Sequence, residues 1–322
     1  MSGMNTGNSG HLIRAELWSN ELKEVLEDEL QATKYVKMLD GFGDGTTFTI
    51  PSIGAVEVDD YAEDTAVQYR PLDTGEFQFT ITEYLSSATY ITKKNKQDAF
   101  YMNQLVSSFV PAQNRAIMEH FEKTTFEAPE SGISANSNEV INSKAHRFAG
   151  GNSGKIEVAD FAYARLALKT ANVPDTNLVA IVDPSIEYEM NTLANLTNVS
   201  NNPRWEGLVS SGIATGTSFI ANIYGFDVYT SNHLKTVTDS ALPERDQSTT
   251  FDASAVTAKA NHFFSASNDV LPLVGAWRQM PEVDSEYNKD FQRDEYVTTA
   301  RYGVKLYRPE NMVTIVCNTA VA

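Results

Sequence analysis

Glu57, Asp59, Asp60, Glu63 and Asp64 place five carboxylates in eight positions, a density that could hold a hard cation. The D-x-D-x-D-G spacing of a calcium loop is missing, however, so the cluster predicts a solvated acidic face. The run AGGNSGKI, residues 149–156, approaches the phosphate-binding pattern G-x-x-x-x-G-K-[ST] with Gly154 and Lys155 in place. Ala149 occupies the first glycine position and Ile156 replaces the hydroxyl that would ligate Mg²⁺, which argues against a phosphate loop. Asp183 follows the apolar run 177–182, at the strand end where α/β proteins place reactive groups. No second acid, base or glycine fingerprint accompanies it, and a strand closed by Asp183-Pro184 with Ser185 capping a helix accounts for it. Gly207, Gly212, Gly216 and Gly225 lack the helix and lysine of a phosphate cradle and predict turns.

The remaining chemistry is sparse. His11, His120, His146, His233 and His262 form no pair at metal-ligand spacing, and His120 is expected to be a packed or surface residue. No G-x-S-x-G occurs, and GFGDG (residues 41–45) lacks the third glycine of a dinucleotide fingerprint. Cys317, the single cysteine, excludes an intramolecular disulfide and a cysteine metal cluster, and in MVTIVC it predicts a buried apolar side chain. Trp18, Trp205 and Trp277 are far apart and predict core or interface anchors. No catalytic residue, cofactor or metal is expected.

These residues sit in a chain of 322 residues with 42% hydrophobic composition and a formal charge of −17. The composition is that of a globular protein. The charge opposes a broad contact surface for nucleic-acid phosphates, which needs clustered lysine and arginine. No apolar run reaches the length of a membrane span and the amino terminus has no signal-peptide pattern, so no membrane is expected.

Leu17, Leu22, Leu26 and Leu30 recur among acidic residues and predict a helix within 11–40. Period-two alternation at 47–50 and at 77–82 predicts two strands, flanking the acidic segment as an extended hairpin. Residues 95–128 carry Met102, Leu105, Phe109, Ala116, Ile117 and Phe121 on one face and predict a long helix, kinked or divided at Pro111. Residues 127–155 predict a loop. Helices follow at 157–172 and 185–196 around a buried strand at 177–182. A polar loop at 238–255 precedes further strands, with 296–307 alternating and 312–317 apolar on both faces.

Three stretches carry a family resemblance. The hairpin-and-helix unit at 46–126 is similar to an extended loop followed by a spine helix. The run NPRWEGLVSSGIATGTSFIANIYGFDVYTSNHL contains G-F-x-V-Y-x-S-N-x-L at 225–234, and the segments DFQRDEY and RYGVKLYRPE resemble closing strands. Together they resemble the major capsid protein of tailed bacteriophages, the Hong-Kong-97-type coat fold, over nearly the whole chain. The resemblance implies an α+β fold divided into an N-terminal arm and first helix (1–45), an extended hairpin loop (46–92) and a peripheral domain with the spine helix (93–156). An α/β axial domain (157–285) and closing peripheral strands (286–322) complete it.

It also implies a homo-oligomer of hexamers and pentamers in an icosahedral virion shell around double-stranded DNA, without sequence-specific binding. A separate scaffold, a portal and cement proteins would be partners, and synthesis would take place in the bacterial cytoplasm. Assembly contacts would involve Asp59, Asp60, Glu63, Asp64 and Arg70 on the extended loop. In the axial domain they would involve Arg204, Trp205, Gly212, Gly216, Gly225, Ser231 and Asn232. Phe109, Pro111, Phe121, Tyr302, Gly303 and Arg308 would serve the peripheral domain. Some relatives lock the shell by a Lys–Asn bond; no motif assigns either partner, so Lys93, Lys94 and Lys96 stay ordinary surface lysines. An encapsulin-type compartment and a soluble α/β enzyme are the alternatives.

Overall fold

Two sheets share a core with one long helix between them. The computed structural model describes residues 30–39, 47–53, 60, 63, 74–98, 102–151, 153–192 and 219–319. In chain order, a 3₁₀ turn at Ala32–Lys34 leads into β1 (Val36–Met38), β2 (Thr47–Ile53), β3 (Thr74–Thr80) and β4 (Glu83–Thr92). Helices α1 (Lys93–Asp98) and α2 (Met102–Glu127) follow, then β5 (Val140–Ile141), β6 (Lys144–Ala145) and β7 (Arg147–Ala149). Next come α3 (Val158–Thr170), β8 (Leu178–Val182), α4 (Pro184–Thr192), β9 (Phe219–Ile223) and β10 (Phe226–Thr230). The chain closes with β11 (Thr236–Val237), β12 (Leu242–Pro243), β13 (Thr250–Phe251), β14 (Ala258–Ser265), β15 (Leu273–Asn288), β16 (Arg293–Leu306) and β17 (Val313–Asn318).

The first sheet runs β1-β15-β16-β4, and the second runs β7-β17-β14-β8-β10-β9 with β11 paired to β14. Strand β8 explains how the second sheet is packed. Leu178, Ala180 and Val182 meet Phe161, Leu168 and Ile186 of α3 and α4. Val179 and Ile181 face the opposite way, into a cluster with Phe121 and Phe126 of α2. A strand covered on both faces must be apolar at every position, and all five of its residues are buried. The same logic holds for β17, whose first five residues are buried, Cys317 among them.

Several elements depart from the sequence expectations. The described end of the segment 11–40 is not helical but a 3₁₀ turn followed by β1, which pairs in parallel with β15. A carboxylate from α2 takes up the N–H groups of Gln31 and Ala32, so tertiary partners override the helical spacing. Leu17, Leu22 and Leu26 lie outside the described residues. Helix α2 continues through Pro111, so the chain is not divided there. Ile117 and Phe121 of the expected face are buried, but Ala116 is exposed, and Gln113, Glu122, Thr125 and Phe126 complete the inward face. The expected loop at 127–155 contains β5, β6 and the fully buried β7. The polar loop at 238–255 closes as the β12–β13 hairpin. Among the described residues no helix is long and apolar enough to cross a membrane.

Candidate functional site

The described surface presents no catalytic constellation; its most constrained polar groups are joints between elements. Glu122 on α2 is 1% exposed. Its carboxylate accepts from the backbone N–H of Gln31 at 2.6 Å, that of Ala32 at 3.4 Å and the hydroxyl of Ser231 at 3.0 Å. The chain before β1, the middle helix and the end of β10 therefore meet at one buried carboxylate: α2 supplies it, and the other two supply the donors that offset its desolvation. Ser231 also accepts the N–H of His233 at 3.3 Å, while its neighbour Asn232 is exposed.

A second joint fastens α2 to the four-stranded sheet. Phe121 stacks on Trp277 with centroids 4.9 Å apart and meets Tyr302 edge-on at 5.1 Å. The Tyr302 hydroxyl bonds His120 Nδ1 at 2.8 Å and Thr124 at 3.1 Å. Burial pushes the Tyr302 phenol up to about 12, so it stays a neutral donor. The next residue, Gly303, lies under the end of β3. A Cβ there would stand 2.9 Å from the Thr80 carbonyl oxygen and 3.0 Å from Ile81 Cα, a distance only glycine tolerates. Phe79 and Ile81 then pack on Val274 and Ala276. Beyond them, Lys305 Nζ donates to the Gln78 carbonyl at 2.9 Å, and Phe77 meets Tyr307 edge-on at 4.9 Å. Arg308 lies over the Tyr307 ring at 5.5 Å.

The third joint is ionic. Arg147 on β7 donates through Nε and Nη2 to Glu130, and through Nη1 to Asp239 at 2.7 Å and the Ser137 carbonyl at 2.9 Å. All three side chains are at least mostly buried, so the cluster is stable only while complete: removing one partner leaves buried charge uncompensated.

The motif-like segments resolve into packing. Within AGGNSGKI the Gly151 N–H donates to Asp160 Oδ2 at 3.2 Å. The Arg245 guanidinium lies where a Gly151 Cβ would be, and Phe251 lies against Gly154. The anion in this turn is the protein's own Asp160, bonded by Arg245 at 2.7 Å. Burial raises Asp160 above the ordinary carboxylate range, against the pull of the Glu157 and Gly151 N–H groups and of Arg245. Asp183, not Ser185, caps α4: its carboxylate accepts the Ser185 N–H at 3.1 Å and hydroxyl at 2.6 Å. Tyr224 and Gly225 have φ of 51° and 90°, the type I′ turn that joins β9 to β10. His120 is held by Tyr302, and His262 is wholly enclosed, bonded to the Phe126 carbonyl at 2.9 Å and Thr314 at 3.2 Å. Among the described residues no group of three or more His, Cys, Asp or Glu could hold a metal.

Of the expected assembly residues, the structure brings Phe121 and Tyr302 into direct contact, with Gly303 adjacent, and ties Ser231 to α2. Pro111, Asp60 and Glu63 are exposed. Asp59, Asp64, Arg70, Arg204, Trp205, Gly212 and Gly216 lie outside the described residues, as does the side chain of Phe109. Glu122 and Arg147 were not singled out by sequence. The only signal for Glu122 was a carboxylate inside an apolar helical stripe; nothing marked Arg147.

A family model described as phage capsid protein matches residues 75–315. The chain belongs to this phage capsid family. Its role is structural and non-enzymatic, that of a major capsid protein in a virion shell. No curated protein matches its sequence. Solved structures match its fold throughout. One from Mycobacterium phage Che8 is 17% identical with a TM-score of 0.67, covering 96% of this chain and 98% of that one. The capsid structure of cyanophage P-SCSP1u is 12% identical with a TM-score of 0.69, covering 95% and 93%. The capsid of a native GTA particle is 10% identical with a TM-score of 0.64, covering 97% of each chain. For a capsid subunit, buried joints of the kind made by Glu122, Tyr302 and Arg147 hold the elements in register.

Proposed function

We propose that this capsid subunit assembles into the hexamers and pentamers of an icosahedral shell around double-stranded DNA, in the Hong-Kong-97 manner. Within the segment 46–92, the β2–β3 ribbon would reach across to a neighbouring subunit, while β4 stays in the subunit's own four-stranded sheet. Residues 157–285 would crowd the capsomer axis, with Arg204, Trp205, Gly212, Gly216, Gly225, Ser231 and Asn232 among the contact residues. The periphery would be built on Phe109, Pro111, Phe121, Tyr302, Gly303 and Arg308.

The observation that carries this is the β2–β3 ladder. Its seven pairs, from Thr47↔Thr80 to Ile53↔Thr74, join only these two strands. Phe79 anchors its base, but Phe48 is 45% exposed. A two-stranded ribbon is marginal in water on its own, so a neighbour's surface is the natural cover for it. The charge of −17 supports the same reading, because an acidic wall repels packaged DNA and lets it leave. A scaffold, a portal and cement proteins would act alongside it, with synthesis in the host cytoplasm.

Deleting residues 55–74 tests the proposal. A folded, soluble subunit that forms no closed shells in electron micrographs is the expected result. Normal particles from the deletion variant would refute the role given to the hairpin.

A further inference from the structure

Long strands at the end of a sheet expose a row of unpaired N–H and C=O groups, and stable monomers blunt them with lysine, proline, bulges or brevity. Strand β4 has none of these. It is ten residues long, EYLSSATYIT, with Glu83 as its only charge. It pairs with β16 in unbroken register from Thr92↔Arg293 to Glu83↔Tyr302. Among the described residues nothing pairs its other edge. The terminal strands β1, β7 and β9 are shorter, at three, three and five residues, and β15, which β1 covers only at Leu273–Gly275, blunts its open stretch with register shifts, Pro281 and charged residues.

The outward face of β4 is also unusual. Tyr84 is 68% exposed and Tyr90 59%, and Ser86, Ala88 and Thr92 between and beyond them are exposed too. The opposite face is held by α2, where Gln113 donates to Thr89 at 3.0 Å. The Tyr90 ring is fixed in place by Arg293, whose guanidinium lies 4.5 Å from its centroid.

We infer that the outer edge of β4 pairs antiparallel with β4 of a second copy across a two-fold axis at Ser87. This rests on the shell reading and names one contact within it. Self-pairing about a two-fold must set residues of the same face opposite each other, so the paired numbers sum to an even value. Centring on Ser87 sets Tyr84 opposite the partner's Tyr90 and Ser86 opposite the partner's Ala88, giving two cross-strand aromatic pairs. Charge fits the same register. Glu83 comes to lie opposite the partner's Ile91, two residues before the partner's α1 begins, and α1 opens with the exposed Lys93 and Lys94. Tyrosine pairing and end charges together select this occupant over an unrelated strand.

The test is disulfide trapping in assembled full-length particles. Cys317 is the only native cysteine and is fully buried, so it adds no background. In the double variant Ser86→Cys/Ala88→Cys, each cysteine faces its opposite number across the axis, within bridging distance. Within one chain the two side chains point the same way from Cα atoms about 6.5 Å apart, so their Cβ atoms stay well beyond the roughly 3.5–4.5 Å that a disulfide needs. Oxidation should give covalent dimers from the double variant and little from either single variant, whose cysteines sit diagonally at roughly 7–8 Å. Particles that assemble without cross-linking, or single variants that cross-link as readily as the double, would overturn the pairing while leaving the shell reading intact. Wild-type subunits that form no particles at all would sink both. An independent variant, Ala88→Lys, should keep the wild-type melting curve yet lower the particle yield at least about tenfold, as edge lysines do to strand addition. Wild-type yield from that variant also overturns the inference.

Discussion

His262 has all its hydrogen bonds made as a neutral ring. The Phe126 carbonyl can only accept, so Nε2 carries the proton and Nδ1 takes the Thr314 hydroxyl. Burial lowers its pKa, with the Glu130 charge and the Phe126 carbonyl opposing, and burial likewise lowers that of His146. A histidine depressed in the folded state contributes stability that is complete above the ordinary imidazole value and is lost as pH falls toward its folded pKa. Subunit stability should therefore decline as pH falls below the ordinary imidazole value of about 6.5, by up to about 1.4 kcal/mol per pH unit for each of the two rings. Thermal melts across this range check it. His262→Gln should flatten the slope, and an equal slope in the variant would contradict the assignment. Glu122 and Arg147 belong to the same scale: each is a charge made tolerable by donors or acceptors that come from distant parts of the chain.

At the scale of elements, the crossing of β3 over β16 decides how the hairpin leaves the body. Gly303 is the contact point, and its constraint is space, because the nearest atoms are backbone. Gly303→Ala should therefore destabilise the subunit by about 1–3 kcal/mol, the usual cost of overpacking, and tilt the hairpin away. Chemical denaturation measures the first effect; a loss of shell assembly larger than the stability change explains would report the second. Much of this architecture was legible beforehand. The alternation of Phe77, Phe79 and Ile81 marked β3, and the apolar runs at 177–182 and 312–317 marked strands buried on both faces. The continuity of α2 past Pro111 was not legible, because a proline that divides a helix and one carried inside it read the same in sequence. Nor was β7, a three-residue strand recruited into the large sheet by parallel pairing with β17. So short a segment carries no periodic signal of its own.

For the whole molecule, a charge of −17 sets the subunits against one another before contacts form. Self-association should accordingly be slow at about 0.01 M salt and faster at about 0.15 M, where the Debye length shrinks from roughly 30 Å to roughly 8 Å. Light scattering follows the rise, and assembly indifferent to salt would show that long-range repulsion does not govern it.

Composition, hydrophobic period and the order of elements are local or cumulative properties, and from them the sequence determined the class of fold and the lack of catalytic motifs. They also supported the resemblance to phage coat proteins that the family match bears out. Which residues meet across the chain was decided only by tertiary structure. Glu122 joins Gln31 and Ser231, Arg147 bridges Glu130 and Asp239, and Gly303 lies beneath Thr80. Such contacts span up to about two hundred residues, and no spacing rule within a single element encodes them. They form because buried polar groups must find partners and packed backbones must find room.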